Sequence, residues 1–274
     1  MNKIAINLKK VPLIMGILNV TPDSFYDGGR YTTIDRALSH VQQMVKDGAD
    51  IIDVGGESTR PGSSEVTIQE EMDRVCPIVE RIIHEFNIPI SIDTQKSKVA
   101  DEVLKLGASI VNDISGLRND NHMPDIIAKH DAYCIIMHIR GTPQTMQMNT
   151  TYSDLLFEIK EFLMESIAIA KKSNIDDHKI IIDPGIGFGK SLEQNYNIIH
   201  NISFFKKMGY PVLIGLSRKS LIGKLYSTKE DRLPATIALN SIALYNGADI
   251  IRVHDVKEHK LIIESLKLLL KVGR

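Results

Sequence analysis

Asp183 closes the isoleucine run that opens IIIDPGIGFGKS (180–191), and Pro184 after it lacks the N–H a strand ladder would use. The run therefore reads as a short strand buried on both faces with a carboxylate at its C-terminal mouth. Gly185, Gly187 and Gly189 behind it permit a backbone that folds tightly over something bound beside that carboxylate. Two phosphate motifs are imitated and both fail. A Walker A loop needs glycine where Pro184 stands, and the dinucleotide fingerprint needs GxGxxG where the chain has GxGxG. Asp93 after ISI and Asn112 after SIV stand at comparable strand ends. Together these groups suit a planar heterocycle with ring N–H and amino donors, which a carboxylate meets through paired hydrogen bonds. A metal cluster or buried structural carboxylates are the alternatives, and no paired histidine spacing favours a transition metal.

A second set is cationic. SRKS (217–220) falls where a helix should begin after one strand, and RVHD (252–255) follows the last strand, with Arg252 and His254 two residues apart and hence on one strand face. Arginine forks and helix N-termini suit phosphate oxygens, so one end of the ligand is expected to be phosphorylated; a solvated basic rim is the plainer explanation. Asn19, Asp53 and Met137 with His138 complete the strand ends that deliver a functional group. Two long loops, TPDSFYDGGR (21–30) and GGESTRPGSS (55–64), mix Gly, Pro and Ser with charges in the manner of lids that close on substrate. No Ser/His/Asp or Cys/His set for nucleophilic catalysis is evident.

Elements that position these groups follow from a repeated junction. GADIID (48–53), GASIVN (107–112) and GADIIR (247–252) each read as a helix-ending glycine, an alanine, a polar residue, two apolar β-branched residues and a polar group. Reuse of this unit predicts parallel strands joined by crossover helices. Strands are expected at 13–18, 51–53, 89–93, 110–112, 133–138, 180–183, 211–216 and 250–252. Helices are expected around Ala37–Val45, at 67–85, 97–106, 152–172, 192–207, 235–246 and 257–270, with a weaker one at 124–129. About eight pairs in about 250 residues predict a single-domain TIM (β/α)8 barrel over 1–274, with a short N-terminal strand or flap at about 1–12. An open doubly wound sheet is the runner-up. In a barrel, all the strand ends named above share one mouth.

Composition bounds the rest. A net charge of −1 over 274 residues gives no global field for nucleic acid or anionic membrane, so any anion site is local. Two cysteines, Cys76 and Cys134, form no disulfide framework and point to a reducing cytoplasm. Lys9 and Lys10 before VPLIMGILNV imitate a signal peptide, but no small-residue cleavage site follows. No apolar stretch reaches the ~20 residues a membrane span needs.

Eight ordered segments, ILNVTPDSFYDGG, DVGGESTRPG, SIDT, VNDISG, MHIRGTP, DPGIGFGK, GLSRKS and RVHDV, resemble the dihydropteroate synthase family over about residues 13–256. The resemblance implies condensation of (7,8-dihydropterin-6-yl)methyl diphosphate with 4-aminobenzoate to give 7,8-dihydropteroate and diphosphate, a step of folate biosynthesis and the target of sulfonamides. It implies that Asp93, Asn112, Asp183 and Lys219 hold the pterin, with Met137 packed on it. Arg252, His254, Thr59 and Asn19 would hold the diphosphate, Asn19 also serving Mg2+. Thr59, Arg60, Pro61, Phe188 and Ser220 would shape the aminobenzoate pocket, and Lys219, Arg252, His254, Asp27 and Arg60 would be catalytic. A homodimer is implied as well. Gln95 to Lys98 and Ile139 depart from the commoner pattern, which bears on fine affinity alone. Rival expectations are a barrel that moves methyl groups from methyltetrahydrofolate to a corrinoid protein, and a non-catalytic pterin-binding paralogue.

Overall fold

Gly48, Gly107 and Gly247 all adopt positive φ, at 97°, 126° and 111°. At each, the alanine N–H that follows reaches back to a carbonyl one helical turn inside: Ala49 to Met44, Ala108 to Val103, Ala248 to Ala243. These are Schellman caps, and they turn each helix directly into a strand. The structure, a computed structural model, describes residues 4–10, 12–21, 30–59, 62–223 and 229–272.

The strands are β1 (Leu13–Asn19), β2 (Ile51–Gly55), β3 (Ile90–Asp93), β4 (Ile110–Asp113), β5 (Tyr133–Met137), β6 (Ile180–Asp183), β7 (Leu213–Ile214) and β8 (Ile250–Val253). The helices are α1 (Arg30–Lys46), α2 (Ile68–Glu85), α3 (Ser97–Leu106), α4 (Met123–Lys129), α5 (Leu155–Lys172), α6 (Leu192–His200), α7 (Ile202–Lys206), α8 (Ser220–Gly223), α9 (Lys229–Tyr245) and α10 (Val256–Val272). All strand pairs are parallel, in the order β6-β5-β4-β3-β2-β1-β8-β7. A bridge between Ile182 and Val212 brings β6 against the β7 side, which makes the sheet the expected TIM barrel.

Strand residues alternate between two environments. Ile14, Ile52, Ile92, Val111, Ile136, Ile182 and Ile251 face outward into the core shared with the helices. Leu13, Met15, Ile51, Ile110, Ile135, Ile181, Leu213 and Ile250 face inward and fill the lower barrel. Residues 4–10 form no strand. They lie across the N-terminal end as a flap ending in a 3-10 turn, with Ile6 buried on the inner core, Ser109 Oγ donating to the Ile4 carbonyl at 2.6 Å and Tyr133 Oη to the Ile6 carbonyl at 3.4 Å.

Three elements differ from the sequence expectation. The helix expected over 192–207 breaks at Asn201, whose side-chain amide turns back to the Asn197 carbonyl at 2.9 Å and competes with the helical ladder. The strand expected over 211–216 shrinks to Leu213–Ile214, flanked by Pro211, which has no N–H, and Gly215, which has no side chain to pack. Helix α9 begins at Lys229 instead of 235, with Pro234 inside it.

Candidate active site

The inward register that places isoleucine in the lower barrel places a functional group two residues further on. Ile51 is followed by Asp53, Ser91 by Asp93, Ile110 by Asn112, Ile135 by Met137, Ile181 by Asp183 and Ile250 by Arg252. On β7 the corresponding position is Gly215, where an added Cβ would stand 3.9 Å from both Arg252 Cβ and Lys219 Nζ. The period of two thus converts one apolar tier into a polar tier above it.

Arg252 occupies the centre of that tier. Its Nε donates to Asp53 Oδ2 at 2.6 Å and its Nη2 to Asp93 Oδ2 at 2.8 Å. Asn112 Nδ2 donates to the same Asp53 oxygen at 3.3 Å. Burial by itself would lower the Arg252 pKa, and the flanking carboxylates of Asp53 and Asp93 reverse that and raise it. Burial raises Asp93, with Arg252 pulling the other way and Asp53 adding to the rise. The strand-end pattern groups Arg252 with His254, apart from Asp93, Asn112 and Asp183. The fold brings Arg252 into the acidic set.

Lys219 and Asp183 add a second set of opposite charges at the mouth, each acting on the other through space. Burial lowers Lys219 to about 8, with Asp183 opposing and Arg252 reinforcing the drop. Burial raises Asp183, offset in part by Lys219 and by the Gly185 N–H, which donates to Asp183 Oδ1 at 2.7 Å. Lys219 Nζ donates to the Ile186 carbonyl and lies 4.3 Å from the centroid of the Phe188 ring, over its face. Phe188 belongs to a small apolar cluster with Met137, Ile114, Ile139 and Met146. The mouth thus sets carboxylates and an amide beside the apolar surfaces of Met137 and Phe188.

His254 lies just beyond β8, its Nδ1 2.9 Å from Ser217 Oγ, and its backbone N–H donates to the same oxygen at 3.2 Å. Arg218 adopts φ 58° and pairs with Asp255 at 2.6 Å. Ser220 opens α8. Asn19 ends β1 in register with Gly55, and an added Cβ on Gly55 would meet Asp93 Oδ2 at 3.7 Å and Asn19 Oδ1 at 3.9 Å, so Asn19 and Asp93 flank the same glycine. Thr59 is half-buried in the second loop. Asp27, Arg60 and Pro61 lie outside the described residues.

Functional groups that the sequence left without a role surround this set. Asp53 carries the same period-of-two signal as Asp93 and was legible on that ground. Lys96 was not: its Nζ joins Glu57 of the second loop at 2.8 Å to the fully buried Glu71 of α2 at 2.6 Å. Glu57 Oε1 also accepts from the Val66 N–H at 2.9 Å, which pinches the base of that loop. Lys190, in the run that imitates a phosphate motif, is buried against the loop's own backbone.

Among the described residues no group of three or more His, Cys, Asp or Glu is placed to hold a metal ion. The hard oxygen of Asn19 beside Asp93 fits Mg2+, which keeps much of its shell as water and phosphate oxygen and needs one or two protein ligands.

Comparison with known proteins agrees with this geometry. The family model for pterin binding enzymes matches residues 15–254. Dihydropteroate synthase of Bacillus subtilis is 45% identical over 98% of this chain and 92% of its own, and that of Escherichia coli K12 is 45% identical over 90% and 88%. A dihydropteroate synthase from Clostridium difficile, crystallised in the presence of pteroic acid, superposes with a TM-score of 0.90 at 46% identity, covering 95% of this chain and 97% of that one. The Xanthomonas albilineans enzyme with 4-aminobenzoic acid gives 0.87 at 38%, covering 96% and 94%. With its barrel, its polar tier and this extent of identity, the chain belongs to the pterin-binding enzyme family and, within it, to the dihydropteroate synthases.

Proposed function

We propose that this chain, acting as one domain, joins (7,8-dihydropterin-6-yl)methyl diphosphate to 4-aminobenzoate, giving 7,8-dihydropteroate and diphosphate. The observation that carries the reading is the clasp of Arg252 between Asp53 and Asp93, with the opposite charges of Lys219 and Asp183 in the same mouth. Such a mouth offers acceptors to the amino and ring N–H groups of a pterin and cations to its oxygen and its charged tail.

In this reading Asp183, Asp93, Asn112 and Lys219 hold the pterin edge, and Met137 packs on its face. The C–O bond to diphosphate breaks with its electron pair on the leaving group, and the methylene cation is delocalised into the pterin. Asp93 and Asp183 stabilise that positive fragment, and Arg252 and His254 receive the anion. Ser217 orients the His254 ring for this task. Asn19 would hold Mg2+, which would supply charge neutralisation to the leaving group. The aminobenzoate nitrogen then forms the C–N bond and releases a proton to water, with no strong general base required.

Thr59, Arg60, Pro61, Phe188 and Ser220 make the aminobenzoate pocket, Thr59 also meeting the diphosphate, and Asp27 acts near the methylene. We place the reaction in the cytoplasm, supported by two free cysteines, Cys134 of them buried. No helix among the described residues is long and apolar enough to cross a membrane. We also propose a homodimer built on the packed pair α9 and α10, where Ile242, Tyr245, Leu261, Leu268 and Leu269 are exposed. Sedimentation equilibrium showing a monomer at micromolar concentration would remove that assignment. The reaction is tested by diphosphate release on mixing the pterin substrate, 4-aminobenzoate and Mg2+. Absence of release, or methyl transfer from methyltetrahydrofolate in its place, overturns it.

A further inference from the structure

Loop 185–189 has carbonyls held by side chains from elsewhere in the chain. The Ile186 carbonyl accepts from Lys219 Nζ, that of Gly187 from Gln147 Nε2 at 3.3 Å, and that of Gly189 from Tyr152 Oη at 2.9 Å. The remaining two, Gly185 and Phe188, are both taken by Lys190 Nζ, at 2.8 Å and 2.9 Å. The third direction of the same nitrogen meets His138 Nδ1 at 2.8 Å. Burial lowers the Lys190 pKa well below the ordinary lysine value. Whether the nitrogen is an ammonium with three donors or an amine with two donors and a lone pair, these three partners meet all its directions, which is what a lysine only 3% exposed requires.

The two carbonyls are not equivalent in what they carry. Gly185 donates its N–H to Asp183 Oδ1 at 2.7 Å, so its position sets the carboxylate that meets the pterin. Phe188 presents its ring beneath Lys219 Nζ and joins the cluster with Met137. Gly185 packs so closely on the His138 carbonyl oxygen that an added Cβ would collide with it. The loop is wound around one buried nitrogen.

We propose that Lys190 is a positioning residue for the reaction: by holding the Gly185 and Phe188 carbonyls on one nitrogen it fixes the spacing between the Asp183 carboxylate and the Phe188 ring, and so the distance at which pterin methylene and amine meet. This rests on the reaction proposed above and deepens it. Displacement of reacting groups by about 1 Å costs on the order of a hundredfold in rate, while each substrate keeps most of its own contacts. The signature of Lys190 is therefore a loss in kcat out of proportion to any loss in binding.

The test is Lys190→Met in the full chain, with pterin diphosphate binding measured by calorimetry to count competent sites. Per competent site, kcat is expected to fall about tenfold to a hundredfold, with the pterin Kd and the 4-aminobenzoate KM each moving less than about fivefold. Lys190→Gln, which keeps a shorter buried donor, is expected to fall between the two and serves if Lys190→Met does not fold. Tyr152→Phe, which releases only the Gly189 carbonyl, is expected to keep kcat within about threefold. Unchanged kcat per competent site in the Lys190 variants, or an equal loss in Tyr152→Phe, overturns the proposal. If the wild-type chain itself releases no diphosphate, the reaction has failed and not the role of Lys190.

Discussion

At the residue scale, Arg252 does two things that a substitution will not separate cleanly. It is the partner of two buried carboxylates, and it is the proposed receiver of diphosphate. Breaking a buried pair by removing one member leaves uncompensated charge, so Arg252→Ala is expected to cost about 3–5 kcal/mol of stability in urea unfolding at pH 7. Free pterin should bind more weakly too, because Asp53 and Asp93 lose their orientation. The diphosphate form should lose more than the free pterin, and equal losses in calorimetry would remove Arg252 from the leaving-group site. Lys219 supplies a test against pH. Its folded pKa lies near 8 against an ordinary 10.5, so burying the ammonium costs stability below about 8, and that cost disappears as pH rises from about 8 to 10.5. Over the same interval the pterin loses a cation. Pterin binding is therefore expected to weaken above pH 8 while the unliganded protein does not, and Lys219→Arg should move that limb upward. Identical pH profiles for the two proteins would assign the limb to the ligand's own ionisation instead.

At the element scale, the glycine caps show why strands and helices were legible and their partners were not. Gly48, Gly107 and Gly247 announce a helix end because left-handed backbone favours glycine. The same cap recurs after α4 and α5 with Asp131 at φ 51° and Asn174 at φ 64°, and there the sequence offers no glycine to mark it. Gly107→Ala, at φ 126°, is expected to destabilise the chain by about 1–3 kcal/mol with kcat unchanged at saturating substrate, since the cap lies at the end of the barrel away from the mouth. A matching fall in kcat would show that the two ends are not independent. The clasp on Arg252 joins strands whose residues are 199 and 159 positions apart, and no local pattern specifies which carboxylate faces which guanidinium nitrogen. Lys190 is a different case. It ends a run that fails both phosphate motifs, and its nitrogen is taken up by its own loop and by His138. Alternation gave the polar tier, and only closure of the barrel gave its pairs.

At the scale of the whole molecule, stability and chemistry are divided along the barrel axis, with Ile6 and the isoleucine tier sealing one end and the charged tier lining the other. The circumference is less even. Strands β1 and β2 share a register of five residue pairs, whereas β6 meets the β7 side at the one bridge between Ile182 and Val212. Asp183 comes immediately after that bridge, and Lys219 follows from the other side of it. The least paired seam of the cylinder thus runs between two groups that one substrate is expected to span, so the ligand would act as a staple across it. Amide hydrogen exchange should register this: protection around 180–183 and 212–214 rising on pterin binding, with 14–18 and 51–54 scarcely altered. Uniform protection around the ring would mean that the cylinder breathes as one piece.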